Sequence, residues 1–381
     1  MNPLLVALTA ISLIVIVVLT VVVLAARGVT VGSSKPVAFE LGGPGLIRLP
    51  TNARTSLNGR FGLLHDSTRG HARVGHVVES GPRFTVRHLE DQSGTALPSR
   101  GKGMWVRDVF RKPDDLGMRY EDAVVQSDAG SCPAWIIPPS SPKKHSGIWA
   151  IHLHGIRSTR SVVLPGVAAL KSLPLTSLVP SWRGDSEGPP MPGVGSTLGW
   201  MEWRDVDVAL EYALLHGARS FVLVGWSMGG TIANLLLKHS RFAENIVGLV
   251  LVAPVTSWRA VVANAVRAAR LPAVTTAGVE FLLGNRLLCH LAGLRDPVHL
   301  ADLEAEADHR DRPVATLVVH NPDDELVPHE LLTEFVALNG TSADLLTFEP
   351  SPHAMEWNVD PDRFERELGS WVSRRVLSAE R

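Results

Sequence analysis

The stretch that most limits the fold is Phe221-Val222-Leu223-Val224-Gly225-Trp226-Ser227-Met228-Gly229-Gly230. A β-prone apolar run ends in Gly-x-Ser-x-Gly, and the helix-compatible Thr231 to Lys238 follows at once. Strand, tight turn and helix in immediate succession is the setting a nucleophile elbow requires; the five-residue motif without it means little. Such a turn forces Ser227 into a strained backbone conformation and exposes its Oγ above the sheet edge. Gly225 and Gly229 are small because larger side chains would collide where strand and helix cross. The alternative is a glycine-containing turn with an incidental serine, so the case depends on partners elsewhere.

With 381 residues, 45% of them hydrophobic, the chain has room for one large α/β domain with an appendage, or two modest domains. Its 37 basic and 38 acidic residues nearly cancel and give no electrostatic reason to expect a nucleic acid. Cys132 and Cys289, the only cysteines, could pair but supply no metal framework, and read better as small buried hydrophobes. No Gly-x-Gly-x-x-Gly follows an early strand and no His-x-x-x-His occurs, so neither a cofactor nor a metal is expected.

Leu4 to Ala26 contains no charged side chain and is long enough to cross a bilayer as a helix. It exceeds the usual apolar core of a cleaved signal and no basic side chain precedes it, although Ala25 and Ala26 would suit a peptidase. The expectation is an uncleaved single-pass anchor over residues 1–27 in the cell membrane; a cleaved signal and a buried core helix are the alternatives. Arg27 and Lys35 bias the body toward the cytoplasm, but the side stays open. Residues 28–114 alternate short β-capable pieces (Ala72 to Val78, Arg83 to Leu89) with turns at Gly42-Gly43-Pro44-Gly45 and Ser93-Gly94. They read as a small β-rich or irregular appendage with no legible chemistry.

The catalytic domain is expected over residues 115–381. A hairpin around Asp128-Ala129-Gly130 supplies antiparallel strands, and a loop with Pro142-Lys143-Lys144 leads into the strand Gly147 to Leu153. That strand is apolar enough to be covered on both faces and ends in His154-Gly155-Ile156. Further strands are expected at Leu175 to Pro180, Ile246 to Pro254, Pro313 to His320 and Ala343 to Phe348, with helices between them and a last helix from Pro361 to Leu377. Between about 255 and 312 the alternation breaks into helix-capable pieces, expected to form a small cap whose Val261, Val262, Val266 and Phe281 to Leu283 could line an acyl pocket or simply pack on the core.

The partners of Ser227 follow in chain order. A carboxylate just past the strand ending at His320 can reach a histidine in a neighbouring loop; Asp324 is preferred, Asp323 is runner-up. His353, in the Pro-flanked loop after the last strand, is the base. Serine, acid, histidine is the order associated with this elbow. His353 would take the proton of Ser227, and Asp324 would fix its tautomer. The backbone N–H groups of Ile156 and Met228 would hold the oxyanion. His154 reads as a loop-forming residue, not a base. Arg157 and Trp226 are possible substrate contacts; Arg157 and Arg160 could bind a substrate carboxylate or phosphate, but read slightly better as ties from the loop to nearby acids.

On these residues the chain resembles the α/β-hydrolase superfamily from about 115 to 378. The motifs are His154-Gly155, Gly225-Trp226-Ser227-Met228-Gly229, Asp324-x-x-Val327-Pro328 after the His320 strand, and His353. More narrowly, Trp182-Arg183-Gly184-Asp185, Gly230 after the elbow and Leu251-Val252-Ala253-Pro254 are similar to membrane-anchored bacterial serine hydrolases of esterase or peptidase-like type. The chain departs from lipase patterns in lacking a glycine run after His154, and carries Asn321 where a glycine is common. The resemblance implies a mostly parallel sheet with helices on both faces and a serine hydrolase acting on a carboxylic ester. The same triad would serve a peptidase, amidase or acyltransferase, and a non-catalytic binding protein on this frame is the reading from another class. The implied partners are an ester- or amide-bearing small molecule or lipid, and the membrane.

Overall fold

Strands that are apolar on every residue need cover on both faces, and the computed structural model of the chain supplies it. The structure describes residues 3–31, 35–140, 146–305 and 313–378, with side chains of the first helix described from residue 16 onward. The loop carrying Pro142, Lys143 and Lys144 and the end of the cap at 306–312 lie outside them. An eight-stranded sheet runs β14-β13-β12-β11-β9-β10-β8-β7. Its members are β7 (Glu121–Ser127), β8 (Gly130–Ile137), β9 (Ile148–Leu153), β10 (Thr176–Pro180), β11 (Ser220–Trp226), β12 (Ile246–Val252), β13 (Ala315–His320) and β14 (Ala343–Thr347). The hairpin β7–β8 and its junction with β10 are antiparallel; the other pairings are parallel.

Alternation along these strands builds two cores. On β11, Phe221 and Leu223 join one, with α3 (Glu202–Leu215) and α4 (Met228–His239). Val222, Val224 and Trp226 join the other, with α2 (Leu164–Leu170) and α9 (Pro361–Val372). Between β12 and β13 the chain leaves the sheet to form the cap helices α5 (Trp258–Ala268) and α6 (Val274–Gly284). Helix α7 (His329–Asn339) follows β13, and the short α8 (Glu356–Val359) precedes α9.

Two other parts pack on this body. Helix α1 (Pro3–Thr30) lays its C-terminal half against α6, where a Cβ on Gly278 would lie 2.9 Å from Val22. Thr30 Oγ1 donates to the Ala292 carbonyl at 2.7 Å, and Val22 and Ala26 are buried in the body's core. Among the described residues no helix is long and apolar enough to cross a membrane; about half of the Leu4–Ala26 run has side chains outside that set.

The residues expected to form a β-rich or irregular appendage close into a six-stranded antiparallel barrel. It contains β1 (Val37–Gly43), β2 (Leu46–Pro50), β3 (Phe61–His65), β4 (Gly70–Ser80), β5 (Phe84–Gly94) and β6 (Arg100–Val106), in the order β1-β2-β5-β4-β3-β6. Closure removes the exposed edges that six short strands would otherwise carry. An arginine is built into it. Arg87 is fully buried and donates to the carbonyls of Gly75, Thr55, Leu57 and Gly59 at 2.6–2.9 Å, beside the rings of Phe61 and Trp105. Burial lowers its pKa to about 10, so it stays a cation at neutral pH.

Candidate active site

The sheet delivers the three side chains to one edge. Ser227 lies between the last residue of β11 and the first of α4, at φ 53° and ψ −116°. For a residue with a Cβ that conformation costs about 1–3 kcal/mol. Three backbone bonds hold it: Ser227 N–H to Val252 O at 2.9 Å, and the Gly230 and Val255 N–H groups to Ser227 O at 2.9 and 3.1 Å. The flanking glycines are steric necessities, since a Cβ on Gly225 would lie 2.6 Å from Gly229 O, and one on Gly229 would lie 2.3 Å from Leu153 O.

Ser227 Oγ donates to His353 Nε2 at 2.8 Å, and His353 Nδ1–H donates to Asp324 Oδ2 at 2.7 Å. Asp324 is buried while Asp323 is exposed, which separates the two candidate acids. The other oxygen of Asp324 accepts the N–H groups of Leu326 and Val327 at 2.8 and 2.9 Å. Burial opposes ionisation of Asp324, but the bonds from His320 and His353 outweigh it and hold the carboxyl well below the usual carboxylate range. His353 is therefore fixed with its proton on Nδ1 and its Nε2 lone pair facing Ser227.

Two histidines not recognised in the sequence complete this network. His320 Nε2–H donates to the same Asp324 oxygen at 3.1 Å. With that nitrogen donating, His320 Nδ1 is left to accept from His329 Nδ1–H, 2.9 Å away. The i, i+4 spacing of His320 and Asp324 around a loop is the signal that could have pointed to it.

The loop after β9 packs onto the elbow: a Cβ on Gly155 would lie 3.3 Å from Ser227 Cβ. Among the described residues the N–H groups of Ile156 and Met228 have no backbone partner, so both are free to meet an oxyanion. His154 does form the loop, donating from Nε2 to Asp185 and stacking on Trp182 at 3.6 Å. Arg160 ties the loop to Glu187. Arg157 adopts φ 55° and donates to the carbonyls of Gly28 and Val29, joining this loop to the end of α1. Trp226 is a correction. It points to the opposite side of the sheet, stacked on Phe364 and held under Gly166 of α2, because its place in the β11 alternation faces α9. The cysteines are separate buried thiols.

The barrel reaches the site through the loop and helix after His353. Met355 is inserted among the barrel's core residues. Asn358 Nδ2 donates to the carbonyls of Arg60 and Arg107 at 2.6 and 2.9 Å, and the Arg60 N–H returns a bond to Asn358 O. The cleft beside His353 is accordingly lined from both parts, by Arg54, Trp105 and Arg107 on one side and Ser158, Glu325 and Pro352 on the other.

A family model described as the alpha/beta hydrolase family matches residues 147–367. The chain belongs to the alpha/beta hydrolase family. Within this family member, a second model, described as a domain of unknown function, matches residues 38–106, the barrel. Comparison with curated proteins finds no match. Among solved structures, the esterase Pf2001 of Pyrococcus furiosus superposes with a TM-score of 0.52 at 18% identity, over 70% of this chain and 95% of that one. A second crystal form of it gives 0.51 over 70% and 96%. An alpha-beta serine hydrolase homologue from Coxiella burnetii gives 0.46 at 17% identity, over 66% and 96%. At these identities the likeness to Pf2001 concerns the fold alone.

Proposed function

We propose that this alpha/beta hydrolase is a serine hydrolase that cleaves a carboxylic ester through an acyl-enzyme. The observation that carries the reading is the unbroken chain from Ser227 Oγ to His353 at 2.8 Å and from His353 to Asp324 at 2.7 Å, on a serine held at φ 53°. His353 accepts the Ser227 proton as Oγ attacks the carbonyl carbon, and the imidazolium is steadied by the Asp324 carboxylate. The oxyanion receives the N–H groups of Ile156 and Met228, the latter at the positive end of α4. Collapse of the tetrahedral species breaks the bond to the alcohol, which takes its proton from His353. Water, deprotonated by the same nitrogen, then releases the acid and restores Ser227. The apolar run from Leu4 to Ala26 supports attachment to the cell membrane through α1.

The test is labelling of the full chain by a fluorophosphonate probe. Wild type is expected to label at Ser227, Ser227→Ala not at all, and His353→Ala at least about a hundredfold more slowly. A folded wild type that does not label overturns the reading.

A further inference from the structure

Two cavities of different character adjoin, and one of them contains His353. One, of about 490 Å³, lies between α1 and α5 and is lined by Val21, Leu24 and Ala25 on one side and Val262 and Ala265 on the other, with Ile156 also in its wall. The other, of about 510 Å³, is the cleft between barrel and body that contains His353. Both lie in the ~300–1,000 Å³ range of small-molecule sites. They share Arg157 and Leu326, so they are neighbouring compartments of one site.

The chemistry of the triad assigns the two halves of an ester to them. His353 must hand its proton to the departing alkoxide, so the alcohol lies on the side of His353, in the cleft. The carbonyl oxygen lies toward Ile156, and the acyl chain continues past it into the apolar cavity, which His353 does not line. The cleft is cationic. Arg54, Arg107, Arg111 and Arg157 line it against the acids Asp108 and Glu325. Glu325 is engaged by the His353 N–H at 3.1 Å, and burial shifts Asp108 toward its neutral form. Arg111 lies within electrostatic reach of Asp108, but among the described residues neither Arg54 nor Arg111 makes a side-chain ion pair, so both guanidinium groups have donors for an anion.

Resting on the serine-hydrolase reading, we infer that the substrate is an amphipathic ester, a fatty acyl chain in the α1–α5 cavity joined to a phosphate-bearing alcohol in the arginine cleft. Ile16 to Leu19 of α1 are solvent-exposed, and so is Leu24, which lines the apolar cavity and leaves that wall open to a lipid chain.

The experiment compares 1-decanoylglycerol 3-phosphate with 1-decanoylglycerol, using the full chain in nonionic detergent and following decanoate release. The expected ratio of kcat/KM, phosphate over neutral, is about thirtyfold or more at low salt. It is expected to fall about tenfold in Arg54→Gln/Arg111→Gln, and to fall as salt is raised. In an acyl-length series, Ala265→Trp is expected to move the optimum to shorter chains. A ratio near one in wild type, a ratio unmoved by the double variant, or an optimum unmoved by Ala265→Trp overturns the inference. Fluorophosphonate labelling of each protein separates the two readings. Retained labelling with any of those outcomes, or with no turnover of either ester, sinks only the substrate assignment, whereas loss of labelling in folded wild type removes the hydrolase reading beneath it.

Discussion

The body and the barrel form opposite walls of one cleft by different physical means. Strands β9, β11 and β12 are covered on both faces, so nearly every residue is buried and the strand ends are held rigidly. Ser227 follows directly from such a strand, and the cost of its backbone strain is offset by that surrounding rigidity. In the barrel β2 buries one face only, β3 is buried along most of its length, and the interior is filled by ten buried apolar residues, one of them Met355 from the body, together with Arg87. A parallel sheet is suited to fixing reacting atoms; a small closed barrel is suited to presenting loops. What joins them is the segment after His353, whose Met355 and Asn358 are barrel partners. The loop carrying His353 is thus braced by a part of the chain remote from it in sequence.

The largest effect should come from the body. Asp324→Asn removes the carboxylate that fixes the His353 tautomer, and kcat/KM on a neutral ester should fall by about 10³–10⁴ with little change in melting temperature. A fall below tenfold would leave the rigid wall without its assigned task.

In the barrel the damage should be to stability. Arg87→Met leaves four buried carbonyls without their donor and should destabilise the barrel by about 3–5 kcal/mol. Denaturant melts would then show the barrel unfolding before the body; unchanged melts would mean that the arginine is not its keystone.

The seam between them can be probed with Asn358→Ala. Losing its two bonds to the Arg60 and Arg107 carbonyls should cost about 1–3 kcal/mol and lower kcat about tenfold, with KM less affected. Loss of stability with unchanged kcat would show that the barrel does not position His353.

The effect smallest at neutral pH, growing only toward acid, is a pH dependence seated in the body. His152 is fully buried on β9 with its Nε2 against Ser177 Oγ, and burial lowers its pKa to about 3. Between that value and the ordinary 6.5 the unfolded chain holds a proton that the folded chain does not, so stability rises with pH in this window. The contribution is lost as pH falls from 6.5 toward 3, by up to about 1.4 kcal/mol per pH unit. His152→Leu should flatten the fall in melting temperature between neutral and acid pH by that amount; an equally steep fall would place the titration elsewhere, at His71 or His329, which burial also depresses.

By itself the sequence determined the features that are local. All-apolar runs specify strands covered on both faces, and Gly225-Trp226-Ser227-Met228-Gly229 between strand and helix specifies a turn that few other residues could make. The placement of Asp324 and His353 after successive strands was legible because parallel strands bring their C-terminal ends to one edge. Only the tertiary structure decided matters that depend on which distant surfaces meet. Trp226 sits inside the Gly-x-Ser-x-Gly motif, yet the packing of α9 turns it into the core. Short strand signals such as Ala72 to Val78 and Arg83 to Leu89 cannot announce a closed barrel, because closure is a property of β1 meeting β6 and not of either strand. His320, Arg107 and the apolar wall from α1 joined the site in the same way. They come from separate parts of the chain, and no spacing within the sequence records the contact that unites them.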